Sequence, residues 1–296
     1  MALQPRRGLE VLVTRWPQTY SLSWTLAAET ERRGVGLHSG APATVRLAPA
    51  DQPGFWLGWL NQPHLPLQRL QPAQVVDARL CTALSLEGGR LATVEHLLAA
   101  LAGTGITQAQ IWVEGPEIPL LDGSALPWVE AIAEVGLEPA ASVPAAPAPA
   151  APITLHQGSS FVTALPAEGL ALAAAIEFSE PAIGRQLFSL PLTPESFVAE
   201  IAPARTFGLR SQVEQLRAAG LIQGGGLDNA LVCDGDRWLN PPLRFADEPV
   251  RHKILDLIGD LALVGLPRAQ VFAYRGSHGL HTALAAALAA LPSSPA

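Results

Sequence analysis

Hydrophobic positions in this chain fall into two kinds of short run, and both kinds occur in each half. Residues 43–47 and 108–113 alternate or run unbroken, the spacing of strands with one or both faces buried. Residues 93–102 and 124–135 place apolar side chains at helical intervals, with Thr93 and Ser124 as the expected N-caps. The pattern then returns. Strands are expected at 160–165, 170–178 and 230–233, and helices at 209–219, 250–264 and 281–291, the first two ending at Gly220 and Gly265. The segment from Gly34 to Gly40 reads as a tight turn between early strands, because its spacing fits neither a dinucleotide fingerprint nor a P-loop. Strands and helices mixed in both halves predict an α+β fold and not a doubly wound sheet. The two halves share a layout that hints at duplication.

The strongest break is a Pro/Ala run at 139–152, extended and unable to build a core. It divides the chain into a leader at 1–22, expected to be flexible, a first domain at 23–138, the linker, and a second domain at 153–292. An apolar content of 49% supports a substantial core. A net charge of -7 with only 15% charged residues argues against a nucleic-acid partner. No apolar run approaches the roughly 18 residues of a membrane span, so no stable membrane insertion is expected. The N-terminus lacks a secretory pattern. Cys81 and Cys233 are too few for a four-thiolate site and read as buried thiols. These features predict a cytoplasmic protein; no oligomeric state follows from them.

Candidate chemistry gathers at three histidines. Of the 19 basic residues, Lys253 alone is a lysine, and it stands beside a His252-x-x-x-Asp256 pair. That spacing puts an imidazole and a carboxylate on one helical face, as a metal requires, and Asp260 extends the stripe by one turn. A solvated face is the alternative. Glu95-His96 opens an apolar helix; taken alone, the pair reads more readily as a polar edge. His278 sits between glycines in what reads as a loop, where an exposed histidine is the ordinary case, unless Asp260 receives its ring N–H. Assembled, His96, His252 and Asp256 give three ligands and leave a fourth position open, the catalytic zinc pattern. Glu95 is then the natural general base and His278 the acid or oxyanion stabiliser. Zinc lowers the pKa of bound water towards ~7, so the reaction class is metal-assisted hydrolysis of an amide or ester. Thr206 could donate to an oxyanion, but its residue type and neighbours alone suggest an ordinary turn. Ligands drawn from both halves place the site between the domains.

Several segments occur in an order that resembles one family: GVGLHSG, TVEHLLAALAG, EGPEIPLLDGSA, ARTFG, GGGLDNALV, LRFADEPVRHKILDLIGDLALVG and SHGLH. Together, over about residues 25–290, they resemble the UDP-3-O-acyl-N-acetylglucosamine deacetylases, zinc amidases of lipid A synthesis. The resemblance implies two α+β two-layer sandwich domains with the site at their interface. It implies zinc on His96, His252 and Asp256, Glu95 as base, His278 as the catalytic histidine oriented by Asp260, and Thr206 at the oxyanion. The substrate would be an acylated UDP-sugar, with Lys253 among its contacts. Its acyl chain would run along the segment from Phe207 to about Gly226, where Leu209, Leu216 and Leu221 are available; Cys81 is counted with the substrate contacts. Ferrous iron is the alternative to zinc at such ligands. Here the histidine segment reads Gly-Ser-His-Gly, where Ser-Gly-His is more familiar in the family. The competing readings are a zinc amidohydrolase of another N-acetylated sugar and a non-catalytic binding protein on the same scaffold.

Overall fold

The computed structural model describes residues 16–141 and 146–292. The first half contains β1 (Thr30–Val35), β2 (Pro42–Ala48), β3 (Gly54–Trp59), β4 (Gln68–Arg69), α1 (Glu95–Gly103), β5 (Gln108–Glu114) and α2 (Leu126–Val135). Its counterpart contains β6 (Ile153–Gln157), β7 (Ser160–Pro166), β8 (Ala171–Glu177), β9 (Arg185–Pro191), α3 (Arg210–Ala218), α4 (Glu248–Leu261), β10 (Ala269–Tyr274) and α5 (His278–Ala289).

Each half forms a five-stranded sheet, ordered β1-β2-β5-β3-β4 in the first and β6-β7-β10-β8-β9 in the second. The order and the strand directions are the same. In both, the central strand pairs antiparallel on one side and parallel on the other, with Leu57 opposite Ile111 in the first and Leu172 opposite Val271 in the second. In both, one helix precedes that strand and one follows it. A small three-stranded sheet is inserted before the leading helix each time: Val75–Asp77 with Ala83–Leu86 and Gly89–Leu91, and Phe207–Leu209 with Leu231–Asp234 and Arg237–Trp238. The duplication suggested by the sequence pattern is therefore a duplication of topology.

Period-two patterning explains the inward faces. Ala43, Val45 and Leu47 of β2, and Leu172, Ala174 and Ile176 of β8, are buried while the residues between them are not. Beyond Glu95 and His96 α1 is apolar all round, and it is buried along its whole length, because it lies between its own sheet and α4. One continuous core runs from the first sheet through α1 and α4 to the second. α3 ends in the left-handed glycine expected of it: Gly220 has φ 76°, its N–H donates to Arg217 O, and that of Leu221 donates to Leu216 O.

Four local expectations need correction. The N-cap of α2 is Ala125 and not Ser124, although the Ser124 hydroxyl accepts from Leu126 N–H at 3.1 Å. Thr93 does not cap α1. Its hydroxyl donates to Glu117 at 2.7 Å, its backbone is left-handed at φ 58°, and Val94 takes the N-cap position. His278 is not in a loop but is the first residue of α5. Ser277 adopts extended φ/ψ and its hydroxyl accepts from Leu280 N–H, so the helix starts there and not at 281. Finally, residues 16–22 of the leader are docked, with Trp16 and Tyr20 against the core and the Tyr20 hydroxyl donating to Gly103 O at 2.9 Å; residues 1–15 lie outside the described residues. The linker also touches the body, since Pro147 O accepts from Arg268 N–H.

Candidate metal centre and active site

The start of α1, at Glu95, meets α4 near its C-terminal end, at Gly259. A Cβ at that position would lie 2.9 Å from Glu95 Cα, so only glycine lets the two backbones approach this closely. The close approach sets Glu95 and His96 of the first half beside His252, Asp256 and Asp260 of the second. All five are buried. The polar stripe of α4 is thus an interior seam and not a solvated face.

His96, His252 and Asp256 each offer a ligand atom, and the three atoms lie within 4.8 Å of one another. Asp256 Oδ1 is 3.3 Å from His252 Nε2 and 3.8 Å from His96 Nε2. Burial drives the His96 pKa down to about 3 and also lowers that of His252, so both imidazoles are neutral. His252 Nδ1 donates to Ala204 O at 3.0 Å, which leaves the Nε2 lone pair facing the carboxylate. Burial alone would raise the Asp256 pKa, but Lys253, whose Nζ is 2.9 Å from Oδ2, and the His278 imidazolium hold it well below the usual range. Asp256 Oδ1 has no hydrogen-bond donor among the described residues. The lone pairs of His252 Nε2 and Asp256 Oδ1 thus face each other with no proton between them, and His96 Nε2 lies beside them, an arrangement that a cation relieves. Two neutral imidazoles and a carboxylate fit a divalent metal ion.

Flanking this cluster are a carboxyl group and an imidazole. Glu95 Oε2 accepts from Thr82 N–H at 3.0 Å, and burial raises its pKa to about 8, with Asp260 and Asp256 adding to the rise and His278 opposing it. His278 Nε2 is 3.9 Å from Glu95 Oε1 and 4.0 Å from Asp256 Oδ2, while its Nδ1 donates to Asp260 Oδ2 at 3.0 Å. Burial opposes charge on this ring, yet the carboxylates of Asp260, Asp256 and Glu95 outweigh it and lift its pKa to about 10. The pocket therefore sets a carboxylate that readily takes a proton beside an imidazolium that can give one.

The remaining expected residues divide. Phe207 and Lys253 are at the site: the Phe207 ring centroid is 6.5 Å from that of His252, and Lys253 Nζ lies 5.8 Å from the Phe207 centroid. Thr206 and Phe207 open onto a groove of about 550 Å³ lined by apolar side chains including Leu80, Val213, Leu216, Ile222, Leu227 and Leu239. Leu209 does not line it. It packs in the core and borders a separate cavity beside Arg210 and Asp234, because the main chain turns into α3 there. Cys81 is buried, as its residue type suggests, and burial together with Glu95 pushes its thiol pKa up to about 12. It faces a neighbouring cavity, also lined by Leu221, that shares His38 and Leu80 with the groove.

A model of the LpxC family, UDP-3-O-acyl N-acetylglycosamine deacetylase, matches residues 23–290. UDP-3-O-acyl-N-acetylglucosamine deacetylase of Trichormus variabilis is 51% identical over 274 residues, 90% of this chain and 98% of that one. The protein of that name from Thermosynechococcus vestitus is 50% identical over 90% of this chain and 93% of its own. A probable mitochondrial deacetylase 1 of the same designation from Arabidopsis thaliana is 42% identical over 89% of this chain and 87% of its own. The chain belongs to the UDP-3-O-acyl-N-acetylglucosamine deacetylase family.

The family segments are knit together by buried carboxylates that sequence reasoning passed over. Glu248 accepts from Arg205 N–H, the Arg205 guanidinium and Arg244 N–H, fixing the ARTFG turn to the start of α4. Arg244 in turn reaches Asp122 and Pro203 O. Glu117 accepts from His38 N–H, from the Ser39 N–H and hydroxyl, and from Thr93, tying the early glycine turn to the threshold of α1. A charged residue within an otherwise apolar run was the available signal for Glu117. For His281, also missed, it was the three-residue spacing from His278, which is a shared face once both belong to one helix.

Proposed function

We propose that this protein hydrolyses the N-acetyl amide of a UDP-3-O-acyl-N-acetylglucosamine, releases acetate, and serves lipid A synthesis. The observation that carries the reading is the convergence of three buried ligand atoms between a buried carboxylate base and a buried histidine–aspartate pair. We assign zinc to His96, His252 and Asp256; ferrous iron suits the same ligands, and metal analysis of protein purified without oxygen separates the two. A divalent ion there supplies Lewis acidity to the amide carbonyl and to water. Glu95 takes the proton of the attacking water. His278, held by Asp260, hydrogen-bonds to the developing oxyanion and passes its proton to the leaving nitrogen. Thr206 adds a hydroxyl to the oxyanion, and Lys253 adds a cation for the anionic substrate. The enzyme acts in the cytoplasm, a location consistent with its two unpaired, buried cysteines. No helix among the described residues is long and apolar enough to cross a membrane.

The groove supports an acylated substrate over another N-acetylated sugar. Its wall and rim expose Leu80, Leu227 and Leu239 to solvent by 48%, 53% and 36%, an apolar concentration that a sugar alone does not need. The decisive assay compares acetate release from acylated and unacylated UDP-N-acetylglucosamine, with and without a chelator. Turnover confined to the acylated compound and lost on chelation is expected. Equal turnover of both would assign the site to another sugar, and no acetate with metal present would leave a binding protein. His278→Ala is expected to lower kcat on the order of 10²-fold, the usual scale of lost acid–base help; a loss under about threefold would move the acid role elsewhere.

A further inference from the structure

His281 is 1% exposed, and the only hydrogen bond of its ring among the described residues joins Nδ1 to Asp260 Oδ2 at 3.1 Å. That same oxygen accepts from His278 Nδ1 at 3.0 Å, while Thr82 Oγ1 donates to Oδ1. Asp260 is fully buried and accepts all three hydrogen bonds. An ionised carboxylate offers only lone pairs, so His281 must carry its proton on Nδ1. Its Nε2 then meets no hydrogen-bond partner among the described residues. Burying an imidazole with one orphan nitrogen is unfavourable, and an apolar side chain would fill the same space without that cost. Packing therefore does not account for a histidine here; its N–H to Asp260 does. The fold also makes room for the ring. A Cβ at Gly276 would stand 2.5 Å from His281 Nε2, and no left-handed backbone requires glycine there.

We propose that His281 is a positioning residue for the deacetylase reaction: its Nδ1–H pins Asp260 Oδ2, and Asp260 so pinned aims His278 Nε2 at the substrate. The inference rests on the deacetylase reading above. With a single donor on each oxygen, the Asp260 carboxylate can rock and carry the His278 ring with it. A second N–H on Oδ2, from the next turn of the same helix, removes that freedom. His278 and His281 lie edge to face, with centroids 6.4 Å apart, so each ring also limits the tilt of the other. Gly276 and His281 form one unit, because any side chain at 276 displaces the second donor.

The test compares wild type with His281→Leu, His281→Asn, Gly276→Ala, His278→Ala and the His278→Ala/His281→Leu double variant. Loss of the second donor in His281→Leu is expected to cost kcat about tenfold, the scale for partners that orient a catalytic ligand. KM and bound zinc should change by less than about twofold. Asparagine, which retains an N–H, is expected to recover part of the loss. The double variant should be no slower than His278→Ala alone, because a residue that acts only through His278 has nothing left to orient. A wild-type kcat in His281→Leu, or losses that multiply in the double variant, would overturn the proposal. Should His281→Leu fail to fold, Gly276→Ala carries the same test, with a kcat-only loss expected and a wild-type kcat overturning it. Histidine ¹⁵N spectra give a readout independent of turnover: His281 should show a hydrogen-bonded Nδ1–H, and its absence would refute the contact. If wild type itself releases no acetate, the deacetylase reading fails, while the spectra still report on the His281–Asp260 pair.

Discussion

Glu95→Ala is expected to lower acetate release by about 10³-fold or more, within the range of a lost general base in a buried site, while the purified protein keeps its bound metal. The separation of the two effects follows from the geometry. Glu95 is not one of the three clustered ligands, and its carboxylate instead holds Thr82 N–H and faces His278. Removing it leaves His96, His252 and Asp256 in place. It also takes away a group whose proton affinity has been tuned by burial to about 8, near the working pH, where a base is most useful. A cation in the adjacent cluster favours the Glu95 anion and disfavours the His278 cation, so both limbs of the wild-type pH–rate profile should fall below the metal-free values of about 8 and about 10. Activity should rise with pH as Glu95 loses its proton and fall as His278 does. Acetate release and metal content measured on one preparation check the first expectation; near-normal kcat in the variant would remove Glu95 from the base role.

The parts of this site that could be read in the sequence were those carried by a single helix. His252, Asp256 and Asp260 recur at four-residue intervals, and a period of 3.6 places such residues on one face whatever the tertiary structure. What the pattern could not say is which way that face points. It is buried because Gly259 brings the α1 backbone against it, a contact between residues more than 150 positions apart. The same limit applies to Glu95 and His96. On their own helix they resemble a polar edge, and their burial shows only once α1 is packed against α4 and its neighbours. Helix beginnings were less legible. Ser277 starts α5 because its hydroxyl caps the turn, and two flanking glycines made that segment look like a loop. That error concealed His281, whose relation to His278 appears only when both lie on the helix. Likewise Leu209 is apolar and adjacent to the right motif, yet the start of α3 carries it away from the groove. The topological duplication was only hinted at, since the helices and strands match in order while their side chains have diverged to different tasks.

Replacing Asp256 with alanine is expected to abolish metal retention and, with it, turnover by at least about 10³-fold, since the Lewis-acid contribution to such hydrolyses is worth several kcal/mol. Asp256 is the one anionic group of the three, and both Nε2 atoms lie within 3.8 Å of its Oδ1. It also compensates Lys253, the only lysine in the chain, at 2.9 Å. Without it, two neutral imidazoles would have to hold a divalent ion beside an uncompensated ammonium, which opposes the ion's charge. Chelated wild-type protein should show the same residual rate as this variant, and added zinc should restore only the wild type. Asp256→Asn preserves shape and removes the charge, so it separates the electrostatic requirement from packing. Metal bound at wild-type stoichiometry in that variant would mean that the carboxylate is not a ligand, and the three-residue centre would have to be redrawn.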